Sequence, residues 1–544
     1  MYRNHAKRRA VALTAVAAVA TLLFAACGGS PTSDATEEEA DGYLAVADEG
    51  ANASGDVSIQ LDYDSVEAGG LDPQTATTAR SWSLMSLAYE TLVRIGPDFE
   101  IEPGLATKWT TPDPTTYVFT LRDGVTFSNG RPMTAADVVG SLQRLLKSQG
   151  VWAIQLGAVK KIEATGDMEV TVTLEQPRSA FLATLANTPA AILPMKEIAS
   201  GKLDPAKKMV GTGPFVVDKH RQDVSWEFSR NEHYWNAGEL KIDNLDVEIV
   251  GQESTRLAAI RDGSADFAFF NNVDSLDLLA GTTDARAVDQ QNTDFYNLFI
   301  NSQQKNSALS DPKVRFALNA ALDREQIAEI ALAGSALPTG VSPVTLPDAC
   351  DPADLPSEQA SLDEAEQTLA DAGVDDLTML IYSSEPALGQ IAQVIQQQLD
   401  EVGVSMKIEK VDDGTFDTRA FATQPADFDL ALYWFAGYGD AAMVSQWWNP
   451  EVVPAHAGFI GSDPKLNALI DKAGSTPFGD KRADVITDLC ARVDENSEMV
   501  PLVTRPSVLG YRTDALSPTL YSNEGYGNIL RNLVEWRVLD GGGQ

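Results

Sequence analysis

The stretch that decides the fold reads Tyr117-Val-Phe-Thr-Leu-Arg-Asp-Gly-Val-Thr-Phe-Ser-Asn-Gly130, followed one residue later by Pro132-Met-Thr-Ala-Ala-Asp-Val138. Its first five residues place large apolar side chains on one face, which predicts a half-buried strand. The Asp-Gly and Asn-Gly dipeptides then predict two tight turns with a short strand between them. Thr134 and Asp137 have the spacing of a capping box, so we expect a helix to begin here and to bury the apolar residues that follow.

A second stretch predicts a strand that feeds a helix. It reads Phe295-Tyr-Asn-Leu-Phe-Ile-Asn301 and then, after a gap, Asp311-Pro-Lys-Val-Arg-Phe-Ala-Leu-Asn-Ala-Ala-Leu-Asp-Arg324. The Asp311 side chain can accept hydrogen bonds from the first free N–H groups of the helix, and Pro312 takes the first helical position, where a missing N–H costs nothing. Apolar residues then recur at helical spacing and give the helix one buried face.

Both stretches resemble phrases of the family 5 extracytoplasmic solute-binding proteins, the peptide, nickel and glycoside receptors of ABC importers. The first resembles L-R-x-G-V-x-F-x-x-G-x-P-x-T-A-x-D-V. The second resembles D-x-x-V-R-x-A-L-x-x-A-x-D-R, which in the family opens the large C-terminal lobe. Two more phrases of the family resemble Val210-Gly-Thr-Gly-Pro-Phe215 and Arg230-Asn-Glu-His-Tyr-Trp235. The resemblance covers nearly the whole chain after its N-terminal segment.

This resemblance implies an α/β fold of three lobes, the periplasmic-binding-protein-like class with an extra lobe, in which two lobes close about a hinge over a ligand cleft. A chain of 544 residues is also too long for a single hydrophobic core. We expect lobe I at residues 55–94, 206–299 and 505–540, lobe II at 95–205 and lobe III at 300–504. Asn301 would then lie beside one of the two crossings between lobes.

The N-terminus predicts an export signal followed by a lipid anchor. Basic residues up to Arg9 precede the apolar run Ala10–Ala26, which is short and rich in alanine. We expect residues 1–26 to be a signal peptide, Cys27 to be lipidated as in a lipobox, and residues 27–54 to be a disordered linker. The protein would be extracytoplasmic and tethered to the bacterial cell membrane, at the cell surface or in the periplasm, through its lipid alone.

The composition argues against nucleic acid as a partner and leaves the cysteine pairing open. The formal net charge is -37, and the signal segment would remove basic residues and no acidic ones. No Lys/Arg cluster then remains to attract nucleic acid. Cys350 and Cys490 are left once Cys27 is assigned. In an exported protein they either form a disulfide or are buried separately as thiols.

The segment from Asp427 to Asp440 carries the main candidates for ligand contact. In peptide-binding members of the family a similar strand ends in W-x-x-D, and that aspartate pairs with the ammonium group of the peptide. Here Trp434 is present, but Gly437 stands at the position of the aspartate. A buried ammonium group needs a counter-charge, because an unpaired buried charge costs several kcal/mol. Asp440 is either the replacement, since neighbouring glycines free the backbone, or an ordinary solvated loop residue.

Aromatic residues are dense around this segment. Tyr433, Trp434, Phe435 and Tyr438 suit stacking on sugars or on bulky side chains. On a strand, Tyr433 and Phe435 share one face and Trp434 lies on the other. We therefore expect only one of these sets to face the cleft.

Two further candidates follow a phrase that resembles T-R-L-x-A-L-x-x-G-x-x-D of the family. The phrase begins at Thr255 and ends at Asp266, and in the family the residues after it commonly face the cleft. Phe270 and Asn271 are thus either ligand contacts or plain core and loop.

The sequence does not predict an enzyme. Its histidines, His5, His220, His233 and His456, are scattered without metal-ligand spacing. Ser462-Asp-Pro-Lys465 has the S-x-x-K spacing of some hydrolases, but no S-D-N or K-T-G accompanies it, and its proline marks a helix start. We predict no catalytic residue, no metal site and no cofactor.

The predicted function is that of the substrate-binding lipoprotein of an ABC importer. It would capture an oligopeptide by hinge closure and deliver it to a permease that ATPase subunits drive. An oligosaccharide or a metal chelate is the alternative ligand, which Gly437 favours. A secreted hydrolase, and a surface sensor or chaperone of this fold, are the competing classes. We expect a monomer.

Overall fold

The computed structural model describes residues 42–539, apart from residue 52 and residues 65–69, 77–78, 149–150, 305–306 and 526–528. The predicted signal peptide 1–26 and the predicted lipidation site Cys27 lie outside the described residues. Within the described ranges, no helix is both long enough and apolar enough to cross a membrane.

Part of the predicted linker 27–54 is folded. Tyr43–Ala45 forms a strand that pairs antiparallel with Leu520–Tyr521. The ring of Tyr43 packs edge-on against that of Tyr521, with centroids 5.5 Å apart. The prediction of disorder is wrong for these residues, because their apolar side chains find partners near the other end of the chain.

The largest sheet has eight strands and mixes parallel with antiparallel pairs. In spatial order they are Asn523–Glu524, Ala285–Asn292, Ser507–Arg512, Phe267–Phe270, Gly55–Leu61, Ile242–Ile249, Ser225–Arg230 and Phe215–Arg221. Gly55–Leu61 is parallel to both of its neighbours. All four residues of Phe267–Phe270 are buried, as expected for a strand covered on both faces.

The stretch around Tyr117 builds a four-stranded antiparallel sheet and the helix that follows it. The strands, in spatial order, are Ala106–Asp113, Thr116–Leu121, Glu169–Leu174 and Val159–Gly166. The helix Ala135–Lys147 begins after Thr134, whose backbone N–H donates to Asp137 Oδ2 at 3.0 Å. The strand and the capped helix that the sequence predicts are thus confirmed. Val151–Leu156, Phe181–Leu185 and Met195–Ala199 are shorter helices of this region.

A five-stranded sheet is formed by the second half of the chain. In spatial order its strands are Ser405–Val411, Asp376–Tyr382, Leu430–Phe435, Phe295–Ile300 and Met499–Thr504. The longer helices of this region are Pro312–Ala320, Arg324–Ala331, Leu362–Asp371, Pro386–Glu401, Pro464–Ser475 and Asp480–Asn496. Asp311 caps the first of these helices, since its Oδ1 accepts from the Lys313 N–H at 2.9 Å. Cys350 and Cys490 are joined by a disulfide, with an S–S distance of 2.04 Å.

The chain passes between the eight-stranded and the five-stranded sheet twice, at residues 293–294 and at residues 505–506. The backbone N–H of Arg505 donates to the Asp294 carbonyl at 2.8 Å. The two crossings therefore lie side by side, which is the arrangement that a hinge between two bodies needs.

Asn301 does not lie beside these crossings. It follows the far end of the strand Phe295–Ile300. Its buried side-chain amide donates to the carbonyls of Ala426 and Phe428, at 2.9 and 3.0 Å. The expectation that Asn301 borders the hinge is wrong, because the crossing precedes the strand rather than following it.

Candidate functional site

A cavity of about 820 Å³ is lined by residues from two separate parts of the chain, residues 74–152 and residues 417–456. One wall is made by Gln74, Thr75, Ala76, Trp82, Ser148 and Trp152, and the other by Asp417, Thr418, Phe421, Ala422, Tyr433, Trp434, Phe435, Ala436, Tyr438, Trp447, Val453, Ala455 and His456. The volume falls within the range of pockets that bury small ligands. The cavity is therefore the candidate binding site.

All four aromatic residues predicted from the sequence line this cavity: Tyr433, Trp434, Phe435 and Tyr438. The expectation that only one face of the strand would contribute is wrong. The strand Leu430–Phe435 ends at the cavity, so residues of both faces reach it there.

The rings of the cavity wall support one another. Tyr433 and Trp434 are nearly parallel, with an angle of 5° and centroids 6.3 Å apart. Phe435 stacks on Trp447 at 4.8 Å. Across the cavity, Trp152 meets Tyr438 edge-on at 5.5 Å. Rings fixed by such contacts offer preformed flat surfaces to a ligand.

Asp440 does not line the cavity, and it is not a solvated loop residue. Its side chain and that of Arg482 are both fully buried, with Arg482 Nη2 2.6 Å from Asp440 Oδ1. The same oxygen accepts from the Ala442 N–H at 2.8 Å and caps a short helix. Arg482 Nε also lies 2.9 Å from Asp348. Asp440 is thus committed to a buried ion pair and cannot meet a ligand.

Gly437 has no room for a side chain. A Cβ atom at this position would stand 1.6 Å from the Thr293 carbonyl oxygen. The Gly437 N–H donates to Asp294 Oδ1 at 3.3 Å. The end of the strand Leu430–Phe435 packs closely against the first crossing. This steric restriction explains why position 437 carries a glycine where the family pattern has an aspartate.

Phe270 and Asn271 are likewise away from the cavity. Phe270 is fully buried in a smaller core that includes Leu279 and Val508. Asn271 donates to an oxygen of Asp62 and accepts from Arg505 Nη2 at 3.3 Å. Of the two readings left open by the sequence, the structure favours core for Phe270, and it places Asn271 next to the second crossing.

Sequence reasoning missed a buried charged group at the crossings. Arg505 Nε donates to Glu385 Oε1 at 2.8 Å, and Nη2 to Oε2 at 3.2 Å. Tyr296 donates its hydroxyl to the same Glu385 oxygen at 2.8 Å. The Arg505 guanidinium also lies over the Trp434 ring, 4.4 Å from its centroid. The cavity wall is therefore in contact with the crossing. The feature of the sequence that could have indicated this buried group is the position of Arg505 between two apolar strands, Met499–Thr504 and Ser507–Arg512.

A second buried carboxylate, Asp294, lies beside this group. Its Oδ2 is 3.9 Å from Arg505 Nη1. Burial raises the pKa of Asp294 to about 7, against the opposing effects of Arg505 and of the Gly437 N–H. The first crossing thus carries a carboxyl group that titrates near neutral pH.

The described residues of the cavity carry few ionisable groups. Asp417 is their only carboxylate, and no lysine or arginine is among them. His456 Nδ1 is 2.8 Å from the Trp447 carbonyl, and burial lowers the pKa of His456 to about 4, so that the ring is neutral at pH 7. No group of three or more metal-ligating side chains occurs within the described part of the chain.

Two α/β bodies joined by paired crossings, with an aromatic cavity beside them, define a periplasmic-binding-protein fold. The structure of a Helicobacter pylori periplasmic binding protein, DppA in complex with the peptide STSA, superposes with a TM-score of 0.74 at 22% identity, covering 90% of this chain and 99% of that one.

Sequence comparisons identify the family. The model of bacterial extracellular solute-binding proteins, family 5, middle region, matches residues 100–452. The glutathione-binding protein GsiB of Salmonella typhimurium is 29% identical over 400 residues, or 70% of this chain and 76% of that protein. The dipeptide-binding protein DppE of Bacillus subtilis is 28% identical over 411 residues, or 69% of this chain and 74% of that protein.

The chain therefore belongs to family 5 of the bacterial extracellular solute-binding proteins. It is an extracytoplasmic solute receptor of the kind that serves ABC importers, and not an enzyme.

Proposed function

We propose that this receptor captures an oligopeptide in the aromatic cavity by closing about the paired crossings, and delivers it to the permease of an importer driven by ATPase subunits. The observation that carries the proposal is the contact of Trp434, a wall of the cavity, with Arg505 at the second crossing, 4.4 Å from ring centroid to guanidinium. A ligand that stacks on Trp434 would therefore favour one conformation of the second crossing over others.

Three contacts between remote parts of the chain are those expected of a closed state. Trp152 packs edge-on against Tyr438 at the cavity, and outside the cavity the Ser179 N–H donates to the Gly474 carbonyl at 2.9 Å. Gln155 Nε2 donates to the Met443 carbonyl at 3.4 Å. In the lobe division proposed from the sequence, these contacts join lobe II at 95–205 to lobe III at 300–504, and opening would break them.

The anchor is part of the same proposal. Lipidation of Cys27 would hold the receptor at the membrane, beside the permease. Metabolic labelling with a radioactive fatty acid tests this directly. Label is expected on the full chain and absent from a Cys27→Ser variant.

The ligand class is tested by mass spectrometry of the small molecules released when the purified, unlipidated protein is denatured. A ladder of short peptides is the expected result. A single non-peptide mass would overturn the peptide assignment.

An oligosaccharide is the second candidate, since parallel rings such as Tyr433 and Trp434 also suit sugar faces. Hexose-spaced masses in the same spectrum would establish it. In either case the ligand should be recovered unchanged after prolonged incubation, because a receptor stores its ligand and does not consume it.

A further inference from the structure

We propose that Asp417 determines the ligand class, by holding a cationic group of the ligand at the mouth of the aromatic cavity. This inference rests on the proposed function of the cavity. It names a residue that the motif pattern does not single out, since Asp417 lies outside the strand Leu430–Phe435 that carries Trp434.

Asp417 is the carboxylate that remains available. It is exposed, lines the cavity, and makes no hydrogen bond or ion pair to a described residue through its side chain. The other nearby acids are engaged: Asp440 with Arg482, and Glu385 with Arg505. A cation that enters the cavity would therefore find a free counter-charge at Asp417 alone among the described lining residues.

The position of Asp417 is fixed by the rings that flank it. It ends the short helix Asp413–Asp417, where the preceding Phe416 is buried and stacks on Tyr433 at 5.4 Å. Phe421, one turn further, meets Tyr433 edge-on at 5.3 Å. The carboxylate is thus held at the edge of the aromatic wall, and does not sit on a free loop.

The surroundings favour a cation at this place for two physical reasons. Ring faces attract cations, and most strongly when water is excluded. Partial desolvation and the like charge of Asp413 also raise the pKa of Asp417, so a positive group nearby would relieve an unfavourable interaction. A ligand with an amine and an apolar body satisfies both.

The first test offers a peptide digest to the wild-type protein, half of the digest having been acetylated at every amine. Retained peptides are identified by mass spectrometry. We expect free-amine peptides to be retained about tenfold more than acetylated peptides that lack arginine. Equal retention of the two sets would overturn the inference while leaving the peptide receptor in place.

The matched variants are Asp417→Asn and Asp488→Asn. Both remove one exposed negative charge from a helix, but Asp488 does not line the cavity. The preference for free amines should disappear in D417N and persist in D488N. Persistence in both variants would contradict the inference.

If the wild-type protein retains no peptide at all, the peptide assignment fails, and a second probe pair decides the inference. Phenylethylammonium should quench the tryptophan fluorescence of the cavity at lower concentration than neutral phenylethanol, and D417N should remove the difference. No quenching, or no preference for the cation, would overturn the inference as well.

Discussion

Replacement of Asp440 by asparagine should destabilise the fold without changing what the cavity binds. The change removes the negative charge from a pair in which both side chains are 0% exposed. The asparagine oxygen can still cap the short helix that begins at Ala441, so the ion pair is the main interaction lost. Arg482 would remain buried with Asp348 as its one close carboxylate.

The magnitude follows from the burial of that arginine. Loss of one partner from a buried ion pair typically costs about 3–5 kcal/mol, because the other charge stays desolvated. Since Asp348 still lies 2.9 Å from Arg482 Nε, we expect the lower end, about 3 kcal/mol.

Denaturation in urea, followed by tryptophan fluorescence, measures this difference. The midpoint of the D440N variant should fall well below that of the wild type, whereas D488N should stay close to it. At low urea the two variants should retain the co-purified ligand as the wild type does.

The opposite pattern would refute the reasoning. An unchanged midpoint, together with weaker binding of ligands that carry a free amine, would mean that Asp440 contacts the ligand. The assignment of Asp440 to the ion pair with Arg482 would then be wrong.

Three further predictions follow from the crossings and the cavity. Gly437→Ala should lower the free energy of unfolding by about 3 kcal/mol, because its Cβ would stand 1.6 Å from a carbonyl oxygen. In the control Gly389→Ala, nothing lies within 4 Å of the new Cβ, so the same assay should show a gain of about 0.5–1 kcal/mol. The pKa of Asp294 is about 7 in the folded state and about 3.9 in the unfolded state. Between these pH values the native state binds one more proton than the unfolded state, so the free energy of unfolding should fall as the pH rises through this range. The Asp294→Asn variant should show a flatter pH dependence of stability over the same range. Trp434→Ala should weaken retention of the released ligand about tenfold in equilibrium dialysis, through lost ring contact; unchanged retention would remove Trp434 from the binding wall.

The sequence was sufficient wherever the deciding interactions are local. The helix that Asp311 caps depends on a hydrogen bond to Lys313, two residues away. The capping box joins Thr134 to Asp137, three residues away. The ring residues Tyr433, Trp434, Phe435 and Tyr438 were found from the sequence too, but not that both faces of the strand Leu430–Phe435 contribute, because that depends on where the strand ends relative to the cavity.

Where the deciding partner is remote, sequence reasoning failed. Asp440 was open to two readings, and its structural partner Arg482 is 42 residues away. Gly437 follows a strand of the five-stranded sheet, and its close neighbour Thr293 lies in the first crossing, far away in the sequence. Local patterns report which elements form, but they carry no information on which charges the packed elements bring together.

A direct test of the account is small-angle X-ray scattering from the protein stripped of its ligand, before and after the released ligand is added back. The paired crossings and the cavity between the two walls predict a larger radius of gyration for the stripped protein and a decrease on addition of the ligand. A radius that stays constant while the ligand binds would contradict capture by closure.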